Sequence, residues 1–271
     1  MPALSPVPPG ATGTEETGTA TGADGRPVPL AGEFTTLGPH EQVRGVLNIG
    51  PGRTVGIAAP IEIQFSGPVP DRAAVERKLS VTTSVPVEGA WGWLPDENGG
   101  SRVHWRPREY WPSGTAVTVR ADLYGHLYGH HYGDGRYGTT DLDSTFTIGR
   151  AQVVKADVTS HRMPVLVDGE QVADYPAGYG LADDPHRVTR SGTHVVSEKF
   201  TEKRMVKAQG EANVTHGCIN LAPADAGAYF HSALYGDPVE VTGSSIRLAE
   251  RDGDIWDWTL SWEQWRQLSA L

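Results

Sequence analysis

The sequence predicts a mainly β protein in which a small β-sandwich is followed by a second β-rich unit. Its 271 residues include 33 glycines and 20 prolines, a composition that favours turns, loops and short strands over helix bundles. A chain of this length exceeds the usual single domain, so two domains are expected. Apolar residues alternate with polar ones along several segments, which is the period of half-buried strands.

The first 42 residues are expected to be a linker. Pro, Gly and Thr dominate the first thirty positions, and such a composition buries too little apolar surface to become ordered. We therefore predict that residues 1–42 are disordered. The first six residues have neither the basic region nor the apolar core of a signal peptide, so no export signal is visible.

Residues 43–149 carry the pattern of the β-sandwich. The clearest strand has its apolar positions at Val117, Val119, Ala121 and Leu123. A second strand is predicted over residues 57–65, where Pro60 restricts its place in a sheet. Residues 71–79 are predicted to form a short helix with Asp71 as its N-cap. Strands separated by turn signals are typical of a sandwich.

Two features of the sandwich have more than one interpretation. Residues 124–134 contain three histidines, and imidazole is a common ligand of zinc or copper. The glycines around them favour a loop without fixed geometry, so we predict no metal site. Four tryptophans form either a sugar-binding face or part of the core, and packing is the favoured interpretation: Trp91, Trp93, Trp105 and Trp111.

The second unit is predicted to span residues 150–243, with a C-terminal extension over 244–271 that packs on it. Its elements are a strand at 153–158, a hairpin at 163–175 turning at Asp168-Gly169, a strand at 193–199, a helix at 223–235 and a strand at 238–242. In the extension, Ser261 to Gln264 resembles a capping box that opens a last helix. Trp262, Trp265 and Leu268 are expected to face the body of the protein.

The chemistry is concentrated in residues 213–221, which hold the single cysteine of the chain. Cys218 follows His216 by two positions, with Gly217 between them and Asn220 two positions later. A thiolate is the attacking form of cysteine, and a nearby imidazole can take its proton. Gly217 permits a sharp turn that exposes the thiol. The competing interpretation is an inert cysteine buried on a strand.

The string T-H-G-C-I-N-L at residues 215–221 resembles the active-site signature of the L,D-transpeptidases, which have a YkuD-type catalytic domain. The resemblance runs from about Val46 to the C-terminus and is carried by three further segments: residues 193–199, 225–243 and 256–262. It implies a mainly β fold made of an Ig-like β-sandwich, a YkuD-type β-rich catalytic domain with a short helix after the cysteine, and a C-terminal helical extension.

The resemblance also implies a reaction. Cys218 is expected to form an acyl-enzyme with a donor tetrapeptide stem of peptidoglycan, which an acceptor amine resolves into a 3→3 cross-link. His216 is then a catalytic partner of the thiol. Thr215, Gly217 and Asn220 support the loop and the oxyanion. Neither a metal nor an organic cofactor is needed, and carbapenems are expected to acylate Cys218.

One departure from the family concerns the base. Members carry an upstream histidine that activates the cysteine, within a passage that is much longer than residues 200–206 here. The sequence therefore predicts an internal deletion around Phe200–Lys207. His194 is the nearby substitute base, although its strand favours a structural role. Three functions stay open: an L,D-transpeptidase that the loss has impaired, a non-catalytic module of the cell wall, and a cysteine hydrolase that transfers the acyl group of the thioester to water.

Composition and charge narrow the partners. The formal net charge of −10 argues against nucleic acid or an anionic membrane surface as the main partner. No apolar run reaches the length of a transmembrane helix. One cysteine excludes an internal disulfide framework. The family resemblance implies an exported protein of the cell envelope that acts on peptidoglycan stem peptides, and the sequence gives no indication of an oligomer.

Overall fold

The structure is a computed structural model, which describes residues 12–22, 24–35, 41–125, 136–182, 184–202 and 217–271. The strands of the first half are β1 (Thr12–Thr21), β2 (Pro27–Thr35), β3 (Glu41–Val43), β4 (Gly45–Leu47), β5 (Thr54–Val55), β6 (Ile61–Phe65), β7 (Leu79–Thr83), β8 (Gly89–Glu97), β9 (Gly100–Pro107), β10 (Ala116–Ala121), β11 (Arg136–Gly138) and β12 (Leu142–Ile148). Those of the second half are β13 (Gln152–Asp157), β14 (Arg162–Val167), β15 (Glu170–Gly178), β16 (Gly192–Val195), β17 (Asn220–Leu221) and β18 (Pro238–Thr242). The α-helices are α1 (Arg72–Glu76), α2 (Pro223–Ser232) and α3 (Trp262–Arg266).

Two four-stranded sheets form the sandwich. Their strand orders are β5-β12-β10-β7 and β4-β6-β9-β8. The alternation predicted for β10 is observed, because Val117, Val119 and Ala121 are completely buried while the residues between them are not. The four tryptophans of this unit are also buried, which confirms packing over a sugar-binding face. The Asp71 side chain accepts the backbone N–H of Ala74 at 2.9 Å and caps α1 as predicted.

A six-stranded sheet forms the second unit, with the order β16-β18-β13-β14-β15-β17. The predicted hairpin is β14–β15, and its turn residues Asp168 and Gly169 have φ of 52° and 87°, as a two-residue turn of this kind requires. The sheet buries a second apolar cluster that includes Val154, Met163 and Val165. The helix predicted to reach residue 235 ends at Ser232.

An N-terminal hairpin differs from the disordered linker expected for residues 1–42. Within the described part of that stretch, β1 and β2 pair in antiparallel fashion. Between them Gly25 has φ of 78°, and the Gly22 N–H donates to the Arg26 carbonyl at 2.8 Å. Threonine recurs along β1, and β-branched residues favour extended backbone. The prediction of disorder was based on composition and did not include this local preference.

Backbone groups join the sandwich to the second unit. The Gly56 N–H donates to the Tyr235 carbonyl at 2.6 Å, and the Ala58 N–H donates to the Gly236 carbonyl at 2.8 Å. Gly236 has φ of 88°, and a methyl group there would lie 2.3 Å from the Cβ of Ala59. The two units are therefore in close contact along a short backbone seam that tolerates no added side chain at Gly236.

The C-terminal extension packs on the sandwich as well as on the second unit, where it was expected. The capping box is present, since Ser261 accepts the Gln264 N–H and Gln264 accepts the Ser261 N–H. Trp265 is completely buried, and its Nε1 donates to the Ala90 carbonyl at 2.9 Å. Trp256 and Trp265 of the extension form one buried apolar cluster with Leu94 of β8. Burial of these large aromatic side chains stabilises the contact between the extension and the sandwich.

Charged groups are buried under this extension. The Arg106 guanidinium lies over the rings of three of its tryptophans, with distances to the ring centroids of 4.6 to 5.6 Å for Trp258, Trp262 and Trp265. It also donates to the Leu260 carbonyl at 3.0 Å, while burial lowers the pKa of Arg106 to about 10. The group thus stays protonated at neutral pH and holds the aromatic cluster by cation–π contact.

Membrane-spanning helices are not found among the described residues, where each helix is too short or too polar to cross a bilayer.

Candidate active site

Cys218 lies on an exposed turn at the edge of the six-stranded sheet. It is followed directly by β17, in which Asn220 pairs with Gly178 and Leu221 pairs with Ala177 of β15. Helix α2 begins at Pro223, shortly after that strand. The positive end of a helix dipole favours a nearby negative charge modestly. The exposure of the thiol excludes the interpretation of Cys218 as a buried core residue.

Gly217 forms the turn before the cysteine and packs against a loop that includes residues 180–182 and 184–189. Its φ is 93°, and a methyl group at this position would lie 2.9 Å from the Val188 carbonyl oxygen. Gly180 approaches the same turn, since a methyl group there would lie 3.0 Å from the Gly217 Cα and 1.9 Å from the Arg187 carbonyl oxygen. Thr189 is buried, and its Oγ1 accepts the Gly180 N–H at 2.9 Å. This loop fixes one side of the cysteine turn.

His194 lies on β16, opposite Val239 of β18. Its Nε2 is 2.8 Å from the Arg190 carbonyl oxygen. A carbonyl only accepts, so Nε2 carries the proton, and Nδ1 holds the lone pair of the neutral ring. His194, Gly217 and Ile219 line one cavity of about 220 Å³. Both sequence neighbours of Cys218 therefore border the space that this histidine borders.

Arg190 links that histidine to its surroundings. The Arg190 Nε lies 3.0 Å from Oδ1 of Asp252, and its Nη2 donates to the Pro185 carbonyl at 3.3 Å. Neither side chain of the ion pair is more than 21% exposed. Asp252 belongs to the C-terminal extension, while Pro185 belongs to the loop that packs against Gly217. Arg190 thus contacts the elements on both sides of the site.

An apolar cavity of about 490 Å³ lies beside β17, the strand that follows Cys218, and shares Val195, Val196 and Ile219 with the smaller cavity. Its lining includes Ile219, Tyr229, Phe230 and Phe200. Lys199 borders this cavity, and its Nζ donates to the Phe230 carbonyl at 2.7 Å near the end of α2. The negative end of the helix dipole stabilises a cation at this position. The site therefore offers apolar walls next to an exposed thiol, as binding sites for organic ligands commonly do.

The structure brings together some of the predicted site residues. Cys218, Gly217 and Asn220 form the turn and the strand that follows it, and His194 shares a cavity with that turn. His216 and Thr215 lie outside the described residues, as do 203–214 and the histidine-rich residues 126–134, so the predictions made for them stay predictions. Sequence reasoning missed Gly180, Thr189 and Arg190, because no short motif connects them to a cysteine so much later in the chain.

Comparison with known proteins gives three results. Residues 11–127 match the family model described as a bacterial Ig domain. The chain is 50% identical over 285 residues to L,D-transpeptidase 5 of Mycobacterium tuberculosis, covering 94% of this chain and 62% of the relative. It is 30% identical over 246 residues to L,D-transpeptidase 1 of the same organism, covering 76% of this chain and 88% of the relative.

Structural comparison agrees with these matches. The solved structure of the LD transpeptidase LdtMt1 in complex with imipenem superposes with a TM-score of 0.59 and 26% identity, covering 75% of this chain and 100% of that chain. The mainly β fold with an Ig-like unit is thereby confirmed. The chain spans 62% of the length of L,D-transpeptidase 5. That alignment is longer than this whole chain, so the relative has residues without a counterpart here.

Proposed function

This chain belongs to the L,D-transpeptidase family, and we propose that it is a peptidoglycan L,D-transpeptidase that forms 3→3 cross-links through a cysteine acyl-enzyme. The substrates are a donor tetrapeptide stem and the amine of an acceptor stem. The protein acts in the cell envelope, where peptidoglycan is found, and uses no cofactor. Loss of the upstream base impairs its rate in this proposal.

One observation carries the proposal. Cys218 is exposed on a glycine turn that two backbone approaches hold in place, one at Val188 and one at Gly180. A cysteine held in this way is suited to attack a carbonyl from outside, whereas a core cysteine is not. The family to which the chain belongs supplies the reaction, and the turn supplies the nucleophile.

Acylation transfers the donor stem to the sulfur of Cys218. The thiol proton passes to the base, and the Cys218 Sγ forms a bond to the carbonyl carbon of meso-diaminopimelate in the donor stem. The bond from that carbon to the nitrogen of the terminal D-alanine then breaks. The protonated base returns its proton to the leaving amine. Backbone N–H groups near Gly217 and Cys218 stabilise the oxyanion.

Deacylation reverses these roles. The acceptor amine attacks the thioester carbon and loses a proton to the base. The carbon–sulfur bond breaks, and the base returns that proton to the departing sulfur, which regenerates the thiol. Asn220 supports this turn from β17, which keeps the sulfur in position between the two steps. The same thiol opens the ring of a carbapenem, so such compounds are expected to acylate Cys218.

His194 is the described histidine best placed to act as the base. It borders the cavity that Gly217 and Ile219 also border, and the Arg190 carbonyl fixes which nitrogen is free. The shared cavity supports this role, and the hydrogen bond defines the tautomer in which Nδ1 is free. His216, next to the turn in sequence, is the other candidate and orients or stabilises the thiolate in this proposal.

The test compares cross-linking of tetrapeptide stems by the wild type and by Cys218→Ala, His194→Gln and His216→Ala, followed by mass spectrometry. His231→Gln is a matched control, because this histidine is exposed and lies at the end of α2. We expect no product from Cys218→Ala and a loss of roughly 10²–10⁴-fold in the variant that removes the base. His231→Gln should match the wild type.

A second outcome would favour the alternative function, a non-catalytic module of the cell wall. In that case the wild type gives no cross-linked product, and intact-protein mass spectrometry after long incubation with a carbapenem shows no adduct. An adduct that is absent from Cys218→Ala, together with measurable product, excludes this alternative.

A further inference from the structure

We propose that Arg190, paired with Asp252 of the C-terminal extension, is a positioning residue that holds His194 in the form that can accept the thiol proton. This inference rests on the proposed function, since it assigns a role to residues around the same site. It makes the extension a working part of the active site, in addition to its packing role on the sandwich.

His194 has a defined tautomer. Its Nε2 donates to the Arg190 carbonyl at 2.8 Å, which leaves the lone pair on Nδ1. A base must be oriented by a third group in order to meet its nucleophile. The Arg190 carbonyl is that group here. Displacement of this carbonyl would free the ring to rotate and to exchange tautomers.

Hydrogen bonds from the C-terminal extension keep the Arg190 backbone in place. The next residue, Ser191, donates its N–H to the Ile246 carbonyl and accepts the Leu248 N–H at its own carbonyl, both at 2.8 Å. Residues 246–248 belong to the extension. The backbone that carries the Arg190 carbonyl is therefore held on one side by a segment from the end of the chain.

The side chain of Arg190 is paired with a carboxylate of the extension. Its Nε lies 3.0 Å from Oδ1 of Asp252, while Oδ2 of that carboxylate accepts the Ala249 N–H at 2.8 Å. Both oxygens of Asp252 thus have partners, so its position is well defined. The two side chains are 21% and 11% exposed, which weakens solvent screening of the pair relative to a surface ion pair.

The ion pair is also connected to the loop beside the cysteine turn. Nη2 of Arg190 donates to the Pro185 carbonyl at 3.3 Å, within the loop whose Gly180 packs against Gly217. One guanidinium therefore connects the extension with the loop beside the cysteine turn, while the carbonyl of the same residue orients the histidine. Loss of the ion pair would loosen both sides of the site together.

The experiment uses the full chain with Asp252→Asn, which removes the charge and keeps an acceptor for the Ala249 N–H. Asp252→Glu is the conservative variant, and Arg190→Lys tests the other partner. Asp96→Asn is the matched control, because it breaks an ion pair with Arg72 at 2.8 Å on the sandwich. Three quantities are measured: kcat and KM of cross-linking, the pH profile of Cys218 alkylation by iodoacetamide, and Tm.

We expect Asp252→Asn and Arg190→Lys each to lower kcat about 10-fold, less than loss of the base itself, with KM and Tm close to the wild type. The alkylation profile should shift to higher pH, because a freely rotating His194 stabilises the thiolate less well. Asp252→Glu should recover most of the rate. A merely structural pair would instead lower Tm and leave the alkylation profile unchanged.

The inference is overturned if Asp252→Asn and Arg190→Lys behave like Asp96→Asn in both kcat and the alkylation profile. If the wild type itself does not cross-link, the proposed function fails. The alkylation profile still decides the inference in that case, since it requires only a reactive thiol and not a completed reaction.

Discussion

Replacement of Asp257 by asparagine tests the buried charges that fasten the C-terminal extension to the sandwich. Asp257 is completely buried, and its carboxylate lies 3.0 Å from Nδ1 of His104 on β9, which is itself 2% exposed. Nε2 of the same ring lies 3.9 Å from a carboxylate oxygen of Glu62. The substitution keeps the shape and an acceptor for Nδ1–H, but it removes the negative charge.

The pKa of His104 sets the direction of the effect. Burial alone lowers this pKa, but the charge and hydrogen bond of Asp257, with Glu62 beyond, outweigh burial and raise it. A raised folded-state pKa gives stability that is complete below the unfolded value, about 6.5, and that is lost as pH rises through the folded value. Burial raises the pKa of the Glu62 carboxyl, because it disfavours the charged form. Protonation of Glu62 therefore also favours the folded state at lower pH.

The magnitude follows from the kind of hydrogen bond that is exchanged. A bond to a charged group contributes about 1.5–3 kcal/mol and a neutral one about 0.5–1.5 kcal/mol. We therefore expect Asp257→Asn to lose about 1–2 kcal/mol of stability at pH 5.5, where the wild-type His104 is protonated. For a protein of this size that is a decrease in Tm of roughly 2–6 °C.

The assay is thermal unfolding of wild type and Asp257→Asn at pH 5.5 and pH 9, followed by circular dichroism. The difference in Tm should be largest at pH 5.5 and should shrink as pH rises through the raised folded-state pKa of His104, because the wild-type pair loses its proton there. Equal differences at the two pH values would refute the assigned charge on His104, and no difference at either pH would refute a stabilising role for the pair.

Two further predictions concern packing. Trp265→Ala should cost about 3–5 kcal/mol, because it empties a fully buried site and leaves the Ala90 carbonyl without its donor; a loss below about 1 kcal/mol in denaturant unfolding would contradict this. Gly236→Ala should lower Tm, because its methyl group would meet Ala59 at 2.3 Å, whereas Gly227→Ala in α2, where no atom lies within 4 Å, should leave Tm equal or higher.

Local signals in the sequence were sufficient where a short stretch determines its own conformation. Asp168-Gly169 predicted the hairpin turn, Asp71 predicted the cap of α1, and Ser261 with Gln264 predicted the capping box of α3. Each depends on a side chain or backbone angle within four residues. The exposed turn at Cys218 was predicted on the same basis, because a glycine precedes the cysteine.

Contacts between distant parts of the chain were not predictable in this way. The extension contacts the second unit as expected, at β16 and Ser191, but the fit of Trp265 to β8 of the sandwich depends on a surface formed far earlier in the chain. The approach of Gly180 to Gly217 likewise depends on the path of the loop. In the predicted strand 193–199, residues 193–195 pair with β18 as part of β16, and Val196 extends the contact by donating its N–H to the Asp237 carbonyl at 3.0 Å. The residues after it border a cavity near α2.

The extension connects the sandwich with the candidate active site through residues that are close together in the chain. Asp257 pairs with His104 of the sandwich, and Asp252 pairs with Arg190 beside His194. The turn Asp257–Thr259 also lies against β16, the strand that carries His194. The sandwich is therefore more than a spacer in this arrangement. It provides the buried surface on which the extension is held, and the extension in turn holds the backbone that orients the proposed base.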